Sequence, residues 1–431
     1  MTTGDVSDGP SPDSYAPVEH APADLIARAD LDAARRAVTV AAARTPTLAC
    51  AELGEMAGTA VALKAECLQA TGSFKLRGAL SKVAALGARA SSGLVTASAG
   101  NHARAVAQAA RLTGVGCEVF MPRDAPVSKV AAVERLGASV ELDGASVEEA
   151  LGLARERAEA TGAALVHPFD DLDVIAGQAT VALELLEDVP DLARVVVPVG
   201  GGGLASGIGI ALRRAGANVE LVGVQASACA PYAHALREAR SEGGSADAPE
   251  LAPGATIADG IAIKRPGELT LTLLRELLDG IETVSEEQIA GAMVFLAEHA
   301  KLVAEGAGAV AAAALLSGRL PPVGGTTVAI VSGGNVDSGL FAGLLLRHET
   351  QEGRRVRIFT RVPDRPGGLA ELLEVVARAR ANLVTVAHVR EAVPLHVRET
   401  GVELTLETRG RGHTEEVLAA LAGAGYEVSR E

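Results

Sequence analysis

The sequence predicts an α/β protein on a parallel sheet, followed by a small α+β domain of ferredoxin-like type. Three observations predict it. First, short apolar runs alternate with longer stretches of helical spacing from about residue 61 to residue 225. That rhythm belongs to a parallel sheet covered by helices on both faces. Second, several of these runs end in glycine- or serine-rich turns, at the sheet edge where open α/β folds bind ligands. Third, the composition shifts after Gly353. Residues 354–431 contain no Lys and read strand, helix, strand, strand, helix, strand, the split βαβ order.

Taken in order, residues 1–21 are rich in Pro, Ser, Asp and Gly and read as a disordered tail. Helical spacing starts near Ala23, with Leu25, Ile26 and Ala29 on one face, and runs to Ala41. Strands are expected at 61–66, 94–97, 117–121, 139–142, 164–166, 194–199 and 220–225. Helices are expected between them, at about 75–86, 103–113, 128–136, 146–160, 177–186 and 204–215. Residues 238–253 are polar and Gly/Pro-rich and read as a surface loop. A last α/β segment covers 282–348 and includes the strand 326–331. Residues 349–353 read as a linker. The terminal domain then has strands at 356–362, 383–390, 401–408 and 426–429, with helices at 369–380 and 414–422.

The totals narrow the function. A chain of 431 residues is long enough for two or three domains. A net charge of −15 argues against a nucleic-acid surface. No apolar run has the length of a bilayer span, and the N-terminus lacks a secretory pattern, so a cytoplasmic protein is expected. Cys50, Cys67, Cys117 and Cys229 form no CxxC pair and read as reduced, buried thiols.

Four stretches carry chemistry. Thr71-Gly72-Ser73-Phe74-Lys75-Leu76-Arg77-Gly78-Ala79 holds one of six lysines among 39 basic residues. Arginine stays protonated, whereas a desolvated lysine becomes an amine nucleophile. Otherwise Lys75 is a surface charge on a first helical turn. Gly200, Gly201, Gly202 and Gly203 lie between a strand and a helix. Their backbone N–H groups can converge on a phosphate at the helix N-terminus; the alternative is a tight turn. No Gly-Lys-Ser/Thr follows, and Ser206 stands where a dinucleotide fingerprint needs its third glycine. Ser98, Ala99, Gly100, Asn101 and His102 follow the strand 94–97 and offer donors to a carboxylate. Asn101 can bond a ring hydroxyl or cap a helix. Ser332-Gly333-Gly334-Asn335 follows the strand 326–331, and Ser332 can bond a heteroaromatic nitrogen or cap a helix.

Together these stretches resemble the fold-type II pyridoxal-phosphate enzymes, whose two parallel-sheet subdomains are like those of the tryptophan synthase β chain. The nearest likeness is to the threonine/serine ammonia-lyases, or threonine dehydratases. Residues 258–262, 303–308 and 331–337 match as well, and the likeness covers roughly 22–348 in order. It implies a catalytic domain over 22–348, with a smaller subdomain at about 67–168 inserted in the larger. It implies pyridoxal 5′-phosphate bound covalently to Lys75, with Phe74 beside its ring and Asn101 on its 3′ oxygen. Gly200 to Gly203, with Leu204, would hold the phosphate, and Ser332 would face the pyridine nitrogen. Ser98, Ala99, Gly100, Asn101 and His102 would take the substrate carboxylate. Lys75 would move the substrate's Cα proton, and a neutral Ser332 would favour β-elimination. Threonine would give 2-oxobutanoate and ammonia, and serine would give pyruvate. Glu305 falls near the cofactor without a role.

The chain also departs from the family. Arg104-Ala105 replaces the usual Gln-Gly after Asn-His-Ala. Ala99 replaces a second serine of serine racemases, which argues against racemisation. Gln225 stands where metal-dependent relatives place a carboxylate, so no metal is expected there.

The terminal domain, 354–431, resembles the ACT modules that bind amino acids. The loop Asp364, Arg365, Pro366, Gly367, Gly368 and Leu369 carries the likeness. It implies allosteric control by isoleucine or valine and pairing into a homodimer or homotetramer. A purely structural pairing module is the alternative. Three other readings stay open: a serine-preferring lyase or racemase, an NAD-dependent dehydrogenase with an ACT tail, and a non-catalytic amino-acid sensor. The dehydrogenase needs a dinucleotide fingerprint that the chain lacks. Intact Lys75, Asn101, tetraglycine and Ser332 speak against the sensor.

Overall fold

The computed structural model describes residues 21–240, 256–390 and 398–430. Almost all of the expected tail and most of the expected 238–253 loop lie outside them. The chain forms two compact units, residues 1–335 and 336–431.

The first unit holds two sheets. Its strands are β1 (Thr47–Ala49), β2 (Ala60–Lys64), β3 (Leu94–Ala97), β4 (Cys117–Met121), β5 (Ser139–Leu142), β6 (Ala164–Leu165), β7 (Leu192–Pro198), β8 (Glu220–Ala226), β9 (Gly280–Val284) and β10 (Thr326–Ile330). The larger sheet has the order β1-β2-β10-β7-β8-β9. Its pairs are parallel except β1 with β2. The smaller sheet, β5-β4-β3-β6, is parallel throughout. Strands such as β3 and β10 are buried along nearly their whole length because helices cover both faces.

The strands expected from apolar runs form within a residue or two. β1 and β9 were not foreseen; both are short or part-exposed and lack a strong apolar run. The first expected helix is two helices, Pro22–Arg28 and Leu31–Ala41, because Asp30 accepts a bond from the Ala33 N–H and restarts the coil.

Three helices are pressed together through glycines, and this sets the site. Lys75–Leu86, Leu172–Asp188 and Gly203–Arg214 meet backbone to backbone. A Cβ on Gly177 would lie 2.4 Å from the Arg77 carbonyl oxygen, and one on Gly207 would lie 2.5 Å from that of Ile175. The helix that begins with Lys75 and the helix that begins at the tetraglycine turn therefore share one support.

The second unit opens with the helix Ser338–Gln351, none of whose residues is buried. Residues 349–351, expected in a linker, are helical, and the division falls at 335/336. Its strands β11 (Arg355–Pro363), β12 (Asn382–Val389), β13 (Glu399–Glu407) and β14 (Ser429–Arg430) form an antiparallel sheet, β12-β13-β11-β14. Helices Gly368–Arg378 and Arg411–Gly423 complete the βαββαβ order. Ile358, Leu372, Leu404, Val417 and Leu421 are among its buried core residues.

Candidate active site

Two turns are laced together ahead of the Lys75 helix. The Phe74 N–H donates to the Ser332 carbonyl at 3.1 Å and the Gly334 N–H donates to the Gly72 carbonyl at 2.9 Å, while Ser73 bridges Gly333. Lys75 is thus fixed as the first residue of its helix. Its Nζ donates to the Pro168 carbonyl at 2.8 Å and lies 5.2 Å from the centre of the Phe74 ring. Removal from water lowers the amine's pKa to about 8, against the opposing pull of the Glu305 charge. An ordinary lysine of pKa 10.5 has about one neutral amine in three thousand at pH 7; this one has about one in ten.

Asn101 is not a cap. Gly100 precedes the helix Asn101–Thr113 without a side-chain cap, and the Asn101 carboxamide donates from Nδ2 to Glu305 Oε1 at 2.6 Å. Burial and the nearby Asp259 raise the Glu305 carboxyl to about 7, although the Asn101 bond works against them. Ser332 is not a cap either. It is buried, and its Oγ makes a long 3.4 Å bond to the Ala307 carbonyl. Ser98 Oγ accepts from the Gly100 N–H at 3.1 Å, which folds the loop on itself. His102 turns inward: its ring is buried and Nε2 lies 3.0 Å from the Val166 carbonyl. Burial first, and then the Lys75 charge, push its pKa down to about 3. His102 is neutral, and the half-buried residues ahead of it, Ser98, Ala99 and Gly100, offer backbone and small side chains.

The tetraglycine turn leads into Gly203–Arg214, whose N-cap is Gly202 at φ +84° with no side-chain cap. The first backbone bond of this helix runs from the Ser206 N–H to the Gly202 carbonyl. Hence the donors ahead of it have no partner within the helix. The turn tolerates no side chain: a Cβ on Gly201 would lie 2.1 Å from the Phe169 ring, and one on Gly200 2.9 Å from Ile261 Cα. Behind it, Tyr232 Oη donates to the Gly201 carbonyl at 2.9 Å. In the first turn of the helix, Ser206 Oγ is buried without a hydrogen-bond partner among the described residues. A row of N–H groups without Cβ atoms, at a helix N-terminus and with an amine nearby, fits a phosphorylated aldehyde. Gly201→Ala is expected to lower the affinity of the apoprotein for pyridoxal phosphate at least tenfold, measured by absorbance titration, because Phe169 must be displaced.

One segment joins these parts and was missed in the sequence. Pro168 holds the Lys75 amine, Phe169 lies on Gly201 and Gly203, and Asp170 caps a distant helix. The Asp170 carboxylate accepts from the Glu268 and Thr270 N–H groups at 3.1 and 3.0 Å, at the start of Glu268–Leu277. His167 Nδ1 accepts from the Asp170 N–H at 2.8 Å and shapes the bend. The signal was present: His-Pro-Phe-Asp follows β6 as the Ser98 loop follows β3, at the same edge of the smaller sheet. Gln225 is occupied by backbone, its Nε2 donating to the Val199 carbonyl and its Oε1 accepting from the Ala233 N–H.

In the second unit, Gly367 (φ +93°) caps the helix Gly368–Arg378. Asp364 accepts two bonds from Arg390, both at 3.1 Å, and Arg365 pairs with Glu371. A cavity of about 360 Å³ is lined by Asp364, Arg365, Gly367, Leu369, His388 and Thr400, among others. Pro366 and Gly368 shape the turn beside it. Among the described residues, no helix is long and apolar enough to cross a membrane.

The family model described as "Pyridoxal-phosphate dependent enzyme" matches residues 38–333. An L-threonine ammonia-lyase of Thermotoga maritima is 43% identical over 405 residues, covering 94% of this chain and 99% of the relative. The crystal structure of a threonine deaminase from T.th. is 42% identical with a TM-score of 0.65, covering 72% of this chain and 98% of that one. The structure of maize serine racemase is 33% identical with a TM-score of 0.66, covering 75% and 99%. With its site geometry and these likenesses together, the chain belongs to the fold-type II pyridoxal-phosphate-dependent enzymes, in the L-threonine ammonia-lyase family, with pyridoxal 5′-phosphate as its cofactor.

Proposed function

We propose that the chain converts L-threonine to 2-oxobutanoate and ammonia, and L-serine to pyruvate and ammonia, with Lys75 as its catalytic residue. One observation carries the reading: adjoining residues link an amine of lowered pKa, held by the Pro168 carbonyl, to a side-chain-free glycine turn, on which Phe169 lies. When bound to Lys75, pyridoxal phosphate supplies a sink for the electron pair left when the substrate's Cα proton departs. Gly200 to Gly203 and Leu204 would hold the phosphate, Phe74 would lie beside the ring, Asn101 would bond the ring oxygen, and Ser332 would face the ring nitrogen. The backbone of residues 98–102 receives the substrate carboxylate. Lys75 takes the Cα proton, and the Pro168 carbonyl orients its amine. The β-hydroxyl and one proton leave as water, equal in sum to the Cα hydrogen and the hydroxyl, and one water is consumed when the freed enamine tautomerises to the imine and is hydrolysed to the 2-oxo acid and ammonia. Ala99 has no group to deliver a proton to the opposite face, which favours elimination over racemisation.

The test is a product assay on the purified holoenzyme. L-threonine should yield equimolar 2-oxobutanoate and ammonia, with L-serine competing. Formation of D-serine from L-serine with no keto acid would replace this reading with a racemase.

The reading extends to regulation, through an ACT-type second unit at residues 354–431 that answers to isoleucine or valine. The cavity at Asp364, Arg365, Gly367 and Leu369 supports it: a helix N-terminus for a carboxylate beside apolar Leu369 and Leu373. Either amino acid is expected to shift the KM for threonine about 5- to 150-fold, the usual range of allosteric coupling. Initial-rate curves with and without the effector check this, and superimposable curves reject it. The reading also implies a homodimer or homotetramer and a cytoplasmic place in amino-acid metabolism, with isoleucine biosynthesis one route it could feed.

A further inference from the structure

Arg104, the departure from the family's Asn-His-Ala-Gln pattern, faces the site. It lies in the first turn of the helix Asn101–Thr113, and its Nη1 donates to Asn335 Oδ1 at 2.5 Å. Asn335 Nδ2 donates to Asn101 Oδ1 at 2.7 Å and to the Thr71 carbonyl at 2.9 Å. Asn101 Nδ2 then donates to Glu305 Oε1 at 2.6 Å. Four side chains thus form one chain of bonds, all running in one direction.

The direction has a physical cause. A carboxamide can be turned end for end at little steric cost, and its neighbours decide which end faces where. A guanidinium has donors and no acceptor. Arg104 therefore requires the oxygen of Asn335, which turns the Asn335 amide nitrogen towards Asn101. That nitrogen requires the oxygen of Asn101, which turns the Asn101 nitrogen towards Glu305. The backbone is shaped around the chain. A Cβ on Gly72 would lie 2.4 Å from Asn335 Oδ1, and one on Gly333 would lie 2.3 Å from Glu305 Oε1.

We propose that Arg104 is a positioning residue that, through Asn335, sets the orientation of the Asn101 carboxamide and so keeps an N–H of Asn101 available to the cofactor's ring oxygen. The inference rests on the reading of Lys75 and Asn101 as cofactor ligands. A glutamine at 104 can present its nitrogen or its oxygen to Asn335, which leaves the Thr71 carbonyl alone to hold this orientation. The arginine fixes the amide from its oxygen end as well.

The test compares Arg104→Met, Arg104→Gln and Asn335→Asp with the wild type. Asn335→Asp keeps an ionic partner for Arg104 but presents an acceptor to Asn101 and loses the bond to the Thr71 carbonyl, so a purely structural role predicts a lower thermal midpoint with band and Kd unmoved. The readouts are the position of the holoenzyme's visible absorption band, the Kd of each apoprotein for pyridoxal phosphate, and the thermal midpoint. Loss of a bond to a charged group corresponds to roughly a tenfold change in Kd. Arg104→Met and Asn335→Asp should each weaken cofactor binding about that much and shift the band, and Arg104→Gln should lie between them and the wild type. Unmoved band and Kd in both Arg104→Met and Asn335→Asp, beside a wild type with a normal band, would overturn the inference alone. A change confined to the thermal midpoint would also overturn it. A wild type with no visible band, or one whose band survives Lys75→Ala, would remove the cofactor reading and the inference with it.

Discussion

Lys75→Ala is expected to abolish the visible absorption of the holoenzyme and to lower kcat for threonine by about a thousandfold or more. The alanine can neither hold the cofactor aldehyde nor move the Cα proton, and loss of a positioned base by itself costs about 10²–10⁴-fold. Lys75→Arg is expected to fail as fully, because a guanidinium stays protonated. The pH dependence follows from the lowered amine. The neutral form attacks the aldehyde, so the rate at which the wild-type apoprotein captures pyridoxal phosphate should rise with pH and level off above about 8. Stopped-flow absorbance measures it. A profile still rising steeply at pH 9.5 would mean that the amine keeps its ordinary value of 10.5.

Arg77→Leu is expected to give the largest loss of stability. Arg77, Lys64 and Glu66 are fully buried, and Glu184 is nearly so. Arg77 donates to Glu66 at 2.9 and 2.8 Å and to Glu184 at 2.7 and 2.9 Å. Lys64 donates to Glu184 at 2.6 Å and to the Thr45 carbonyl at 2.7 Å. Two positive and two negative charges balance within one cluster. Removing Arg77 strands the buried Glu66 carboxylate without a charged partner and leaves Glu184 to Lys64, at a cost of about 3–5 kcal/mol. Thermal unfolding should show a midpoint lower by about 4–7 °C. The half-exposed pair of Arg35 with Glu187 is the control, since Arg35→Ala should change stability by less than about 1 kcal/mol. Equal shifts in the two variants would refute the burial argument. Arg77 lies two residues from Lys75, so activity should fall as well.

Much of this site was legible because its parts are backbone features. Four glycines, a serine-glycine loop and an isolated lysine mark themselves in the sequence, and the edge rule for parallel sheets places them together. Partners far apart in the chain were not legible. Glu305 meets Asn101 across 204 positions, and Arg104 meets Asn335 across 231. Nothing local in either sequence segment announces the other. Asp170 read as a loop residue because the helix it caps starts about a hundred positions later. The ion cluster around Arg77 was hidden for a related reason: a charged residue on a helix reads as solvated unless its oppositely charged neighbours are known. β9 was missed because its outer positions are half-exposed. β7, by contrast, announces itself by being apolar nearly throughout.

The place of β10 in the larger sheet bears on how the chain is made. β10 runs between β2 and β7, yet it is the last strand of that sheet to be synthesised. The smaller sheet is complete once residue 165 has emerged, because all its strands lie between 94 and 165. The larger sheet has a gap at its centre until residues 326–330 arrive. Until then β2 and β7 present open edges, which recruit stray strands. The same late segment delivers residues 332–335, which tie down the turn before Lys75. A nascent chain ending near residue 320 would therefore carry a finished small sheet, a split large one and an amine with no seat. Ribosome-bound chains of graded length should acquire protease resistance at 94–165 well before the rest, and cofactor capture only after residue 335 has cleared the exit tunnel.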